Sequence, residues 1–187
     1  NAAFESERPT IFFYPKSCLN DRANATSADV HKQLVPIGRA RRVTEGNDVT
    51  IVAYGNTVSL AVRADAALRQ AGRSAEVIDL RSLMPWDVDT VLASVERTSR
   101  LIISHEDNVS AGVGAEIAAT ISEKAGKKIE IRRVARPDTF VPCNFGNQLE
   151  VLPSYRSILE AAVEMLGGTV AWKQAAGAES GVYMVEA

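Results

Sequence analysis

A chain of 187 residues with 46% hydrophobic and 24% charged content is long enough for one sizeable core with appendages. Its net charge of −2 excludes the strongly basic surface that nucleic acid or an anionic membrane would need. No apolar run reaches the length that crosses a bilayer, and the start lacks a basic-then-apolar leader pattern.

Residues 9–15, PTIFFYP, make a compact β-type run closed by Pro15, a lone strand with no partner nearby in sequence. From Lys16 to Val35 the chain is polar, rich in Ala, Asn and Ser, and without sustained period, so it reads as a linker. Together, residues 1–35 read as an N-terminal arm and linker, either an arm that docks on the sheet or, as the loop length favours, the tail of a preceding domain. The compact domain is expected over 36–168. Ile37 to Val43 reads as a mixed strand. Val49 to Tyr54, VTIVAY, is nearly continuous in apolar residues and so belongs in the middle of a sheet. Gly55 ends it, and Asn56 or Thr57 can cap a helix whose apolar face is Val58, Ala61, Val62, Ala64, Ala67, Leu68 and Ala71. Gly72 terminates that helix and Ser74 to Leu80 is the next strand. A strand, helix and strand joined by short loops imply a right-handed crossover and a parallel pair.

Pro85 interrupts regular structure, and Asp87 is a good N-cap for a short helix burying Val88, Val91, Leu92 and Val95. Leu101 to Ser104 reads as a third parallel strand, His105 to Asn108 as an abrupt polar turn, and Ala111 to Lys124 as a helix opened by Gly112 and Gly114. Lys128 to Val134 alternates, as a strand near a sheet edge would. Arg136 to Asn147 reads as a Pro-containing irregular loop, and Ser154 to Leu166 as an amphipathic helix capped by Ser154. Residues 169–187 are Ala/Gly-rich, a tail or linker in which Val182 to Val185 reads equally as the start of a strand. Cys18 and Cys143 show no CxxC spacing and read as free thiols rather than a disulfide or metal site.

The segments VTIVAYG, AEVIDLRSLMPWD, LIISHEDNVSAGVGAEIAATI and LPSYRSILEAA, in that order, resemble the C-terminal domain of the E1 β subunit of thiamine-diphosphate-dependent 2-oxo acid dehydrogenases. The same domain recurs in transketolase and deoxyxylulose-phosphate synthase. PTIFFYPK is similar to the end of that subunit's pyrimidine-binding domain. The likeness covers about Pro9 to Leu166. It implies a three-layer α/β/α fold: a doubly wound, mostly parallel, five-stranded sheet with one antiparallel edge strand. It also implies an assembly role within an enzyme that decarboxylates a 2-oxo acid and passes the acyl group to lipoyl-E2. The expected partners are an E1 α subunit, a second β copy and E2. Thiamine diphosphate and Mg would belong to the parent enzyme and not to this chain, which carries no catalytic residue of its own. The setting would be bacterial cytoplasm or the mitochondrial matrix.

In open α/β sheets ligands gather outside the carboxyl ends of the strands. The candidates for a substrate mouth or subunit interface are therefore His105, Glu106, Asn108, Asn56 and Trp86, the last in the apolar loop segment Met84-Pro85-Trp86. For His105, Glu106 and Asn56 the competing reading is helix and turn capping. Gly112 and Gly114 are candidates for an anion at a helix N-terminus. The GxGxxG pattern is incomplete, with Ile at 117, and close helix–sheet packing is the favoured alternative. Arg132, Arg133 and Arg136 read as a solvated basic face or an acidic-partner contact, and Asp79 and Arg81 as a local pair. The rival to the family reading is a flavodoxin-like module binding a small anion after Gly55 and Ser104, or the same domain from a transketolase-like or deoxyxylulose-phosphate synthase-like enzyme.

Overall fold

The computed structural model describes residues 1–15, 25–174 and 181–186, and for 172–174 and 181–186 it describes the backbone. The central strand is β2 (Val49–Ala53), VTIVA, buried at every position. β-Branched residues suit a strand covered on both faces. On one side it pairs in parallel with β3 (Ala75–Asp79), and on the other with β4 (Arg100–Asn108). β5 (Glu130–Arg136) adds in parallel to β4, and β1 (Arg41–Arg42) lies antiparallel on the outside of β3. The order is β1-β3-β2-β4-β5.

A short helix, α1 (Ala2–Glu5), lies in the N-terminal arm, and two helical layers cover the sheet. The crossover α2 (Thr57–Gln70) and the later α6 (Tyr155–Met165) bury Ala61, Ala64, Leu68, Ile158, Leu159 and Ala162 against one face, where Ile51 and Ile102 point. The alanines of α2 let α6 approach closely. On the other face α3 (Val88–Thr98) and α4 (Val113–Lys124) bury Val91, Val95, Ile117 and Ile121 against Val52, Ile78 and Ile103. α2 ends in a glycine turn: Gly72 has φ of +72°, with Gly72 N–H bonded to Arg69 O and Arg73 N–H to Leu68 O. Asp87 caps α3, accepting from the Thr90 N–H and hydroxyl and from the Ala40 N–H. Ser154 and Ser157 form a reciprocal capping box on α6. The half-buried Arg100, at the start of β4, donates to Met165 O at 3.1 Å and to Asp48 O at 3.3 Å, latching the end of α6 to the entrance of β2.

Several elements differ from the sequence reading. Residues 9–15 form no strand: Ile11, Phe12, Phe13 and Tyr14 lie 66–81% exposed, because nothing in the described domain offers them a ladder partner. The expected strand at 37–43 shrinks to two residues. Beyond it, Val43 N–H and the Thr44 hydroxyl still bond to β3, at Val77 O and Ala75 O, in irregular geometry. The polar stretch at 105–108 is no turn but a continuation of β4, since β5 supplies partners to His105 and, after a bulge, to Asn108. Part of the expected 136–147 loop is helical: α5 (Phe145–Val151) begins there, with Asn144 accepting from Asn147 N–H. At the C-terminal end β6 (Thr169–Gln174) and β7 (Gly181–Glu186) pair antiparallel, so of the two readings of Val182 to Val185 the strand stands and the tail does not. Residues 175–180 of the stretch read as tail or linker, and Cys18 within 16–24, lie outside the described residues. Cys143 is an exposed free thiol. Asp79 takes the Arg41 guanidinium at 3.4 Å and the Arg81 N–H, whereas the Arg81 side chain turns to Arg39 O and Ala40 O. The Arg133 side chain binds Val109 O and that of Arg136 binds Glu106 O, so two of the three clustered arginines brace the β4–α4 connection.

Candidate functional site at the strand ends

The chain leaves β2 for β3 on one side and then crosses to β4 on the other, so the strand order reverses between β2 and β4. A crevice of this kind is where doubly wound sheets place their ligands. Its walls are Tyr54 to Thr57 after β2 and Ser104 to Asn108 at the end of β4. The two sides are tied directly: the Thr57 hydroxyl donates to Ser104 O at 2.8 Å, and the Asn56 amide to Glu106 Oε1 at 3.1 Å. Asn56 stands at the N-cap position of α2 but gives no side-chain cap bond to it, so its side chain bridges strands instead.

Strand alternation sends neighbours to opposite faces. Ser104 faces α2. His105 faces α4, fully buried, its ring stacked on Tyr54 with centroids 5.8 Å apart and planes 7° from parallel. Two glycines make room for it. A methyl at Gly114 would lie 2.2 Å from His105 Nε2, and one at Gly112 would lie 2.3 Å from Asn108 O. Side chains at either position would force the helix off the strand, so here both glycines serve close packing. Neither ring nitrogen of His105 has a hydrogen-bond partner, and neither has Ser104 Oγ or Asn108 Oδ1. Buried polar atoms of this kind are rare and mark a strained or functional place.

The electrostatics follow from burial beside carboxylates. Burial pushes the His105 pKa down; Asp107 opposes this and Arg133 adds to it. The Tyr54 phenol is pushed up to about 12, first by burial and then by Asp107 and Glu106. Both groups are uncharged near neutrality. Among the described residues no three His, Cys, Asp or Glu side chains converge as a metal set. The carboxylates of Glu106 and Asp107 also suit a diphosphate poorly, so this donor set does not fit thiamine diphosphate with its metal.

Of the sequence candidates, the fold brings Asn56 and Glu106 together, and separately His105, Gly112 and Gly114. Asn108 follows the bulge, its N–H bonded to Asp107 Oδ1. Trp86 is half-buried and packs on the α3/α4 core cluster, as Tyr54 does, while Met84 is 86% exposed. The sequence reading missed Tyr54. Its signal was an aromatic residue at the end of a buried strand, immediately before the glycine.

The model of the family described as transketolase, C-terminal domain, matches residues 38–154. Among curated proteins, the mitochondrial 2-oxoisovalerate dehydrogenase subunit beta of Dictyostelium discoideum is 40% identical over 147 residues, covering 77% of this chain and 39% of its own. The pyruvate dehydrogenase E1 component subunit beta of Staphylococcus epidermidis is 42% identical over 163 residues, covering 86% and 49%. Acetoin:2,6-dichlorophenolindophenol oxidoreductase subunit beta of Bacillus subtilis is 36% identical, covering 89% and 48%. This chain thus spans half or less of the length of these relatives. A solved split-gene transketolase, an inactive β4 tetramer, superposes with a TM-score of 0.66 at 28% identity, covering 73% of this chain and 45% of that one. No helix among the described residues is long and apolar enough to cross a membrane. The match over more than half its length, carried on the five-stranded mixed sheet, makes this chain a member of the transketolase C-terminal domain family, with E1 β subunits of 2-oxo acid dehydrogenases among its relatives.

Proposed function

We propose that this chain is the C-terminal assembly domain of an E1 β-like subunit. The parent enzyme oxidatively decarboxylates a 2-oxo acid and transfers the acyl group to lipoyl-E2, with thiamine diphosphate and Mg bound outside this domain. The observation that carries the reading is the 40–42% identity to dehydrogenase β subunits over more than three quarters of the chain. The donor set at the strand ends supports it, being unsuited to the cofactor. In this reading residues 1–35 are the tail of a preceding pyrimidine-binding domain, and 36–168 the assembly domain.

The partners are an E1 α subunit, a second β copy and the E2 component. Glu106, Asn108, Asn56 and Trp86 face or flank the subunit contact, and His105 sets the shape of the strand end behind them. The setting is bacterial cytoplasm or mitochondrial matrix, the compartments of such complexes. The cofactor supplies the carbanion chemistry when bound; this domain supplies placement.

The test is reconstitution. The chain is mixed with an E1 α subunit and with full-length β of a close relative, and complex formation is followed by sedimentation alongside 2-oxo acid decarboxylation. The expected result is a chain that enters assemblies and competes with full-length β, yet turns over nothing alone. Thiamine-diphosphate-dependent decarboxylation by the lone chain would overturn the proposal.

A further inference from the structure

We propose that His105 is a two-position side chain: uncharged it lies beneath the first turn of α4, and charged it swings past Gly112 to Asp107, opening the segment Glu106 to Gly112. This inference concerns the domain itself and does not depend on the parent enzyme.

Four observations meet here. The ring is fully buried and stacked on Tyr54, yet neither nitrogen has a partner. An uncharged imidazole tolerates that seat at the cost of one unmet donor. An imidazolium there would bury a charge with two unmet donors, which a protein does not sustain. The seat is narrow, closed by Gly114 against Nε2. The exit has an acceptor beside it: a single point, where a methyl on Gly112 would be, lies 3.1 Å from His105 Cε1 and 3.3 Å from Asp107 Oδ2. Imidazole and carboxylate are therefore neighbours on either side of Gly112, and the Asn108 carbonyl oxygen, which crowds the same point, is the backbone atom that must move for the ring to pass. Asp107 itself is exposed, so the pair would form at the surface.

The charged surroundings are consistent on every side. β2 contributes Tyr54, a phenol that stays protonated. β4 contributes the carboxylates Glu106 and Asp107. β5 contributes Arg133, whose charge opposes an imidazolium in the seat, with Arg136 next to it on Glu106 O. From α4 the contacts are Gly112 and Gly114, which do not titrate. The bulge in the β4–β5 ladder between His105 and Asn108 means that few ladder bonds resist opening there.

The experiment is amide hydrogen exchange on the full chain at pH 7.5 and pH 5, corrected for intrinsic rates. The imidazole resonances are followed alongside, with exposed His31 supplying the only other set. The amides of Asp107 to Ala115 should lose protection in acid, by up to about tenfold for each pH unit from the ordinary imidazole value, about 6.5, down to the pH at which the ring is half charged, as one linked proton requires. H105Q should show the same protection at both values. D107N should move the loss to lower pH, because the exit lacks its charge. Should G114A fold, it should show the open level of exchange already at pH 7.5. Unchanged protection in the wild type, or an acid loss that persists in H105Q, would overturn the inference.

Discussion

At the scale of single residues, the middle of the sheet carries a polar knot whose removal has a definite cost. The Thr50 hydroxyl sits 2.7 Å from both Ser94 Oγ and Thr98 Oγ1, all three buried, so a strand residue is bonded to the helix that covers it. Thr50→Val keeps the shape and takes from Ser94 Oγ its buried hydroxyl partner, while Thr98 Oγ1 can still donate to Arg100 O. Chemical denaturation should register a loss of about 1–3 kcal/mol, and a Ser94→Ala/Thr50→Val double variant should lose less than the sum of the two singles. Thr50 reads in sequence as one more β-branched strand residue, and nothing local announces its bonds 44 and 48 positions away. His105 was misread for the opposite reason. Four consecutive polar residues signal a turn, but the seven residues of β5 capture them as strand, and only the long-range pairing shows it. Gly112 and Gly114 were more legible: two glycines before an apolar helix do mark close approach, although the residue approached is a histidine that the spacing does not name.

At the scale of elements, the helices were the most readable parts because their ends are chemically written. Asp87 before α3, Ser154 before α6 and Gly72 after α2 all stand where the sequence reading put them. Asp87 does more than cap. Burial raises its carboxyl, but the bonds from Ala40, Thr90 N–H and the Thr90 hydroxyl, with Arg39 nearby, outweigh this and hold it below the usual range. A depressed carboxyl stabilises the fold above the ordinary carboxylate pKa, about 4, and loses that contribution as pH falls through its lower folded value. Asp87→Ala should therefore cost about 1–3 kcal/mol at pH 7, and the gap to the wild type should narrow in denaturation curves taken below pH 4. Ser154→Ala should cost about 1 kcal/mol with no such acid dependence, since a hydroxyl does not titrate there. Strand limits were harder to read. β1 is short and β4 long, because a strand ends where its neighbour ends, and a neighbour as distant as Arg136 is from Asn108 or Asp79 from Arg41 leaves no local trace.

At the scale of the whole molecule, both core clusters draw on residues from Ala40 onward, and none comes from the arm. A chain starting at Pro36 should consequently unfold with a thermal midpoint within a few degrees of the full chain, and with less tendency to associate once Phe4, Ile11, Phe12, Phe13 and Tyr14 are gone. Scanning calorimetry and light scattering check both halves of that statement. The arm was legible as an orphan because a β-type run lacked a local mate, while its exposure needed coordinates. The Arg100 latch has a practical corollary. By fastening the last turn of α6 to the entrance of β2, it delivers the polypeptide beyond Met165 to the floor of the sheet, away from the Tyr54–His105 rim. A fluorophore or affinity handle placed beside Glu186, which pairs with Thr169, would thus ride on the far pole of the domain and leave the rim accessible to whatever docks there.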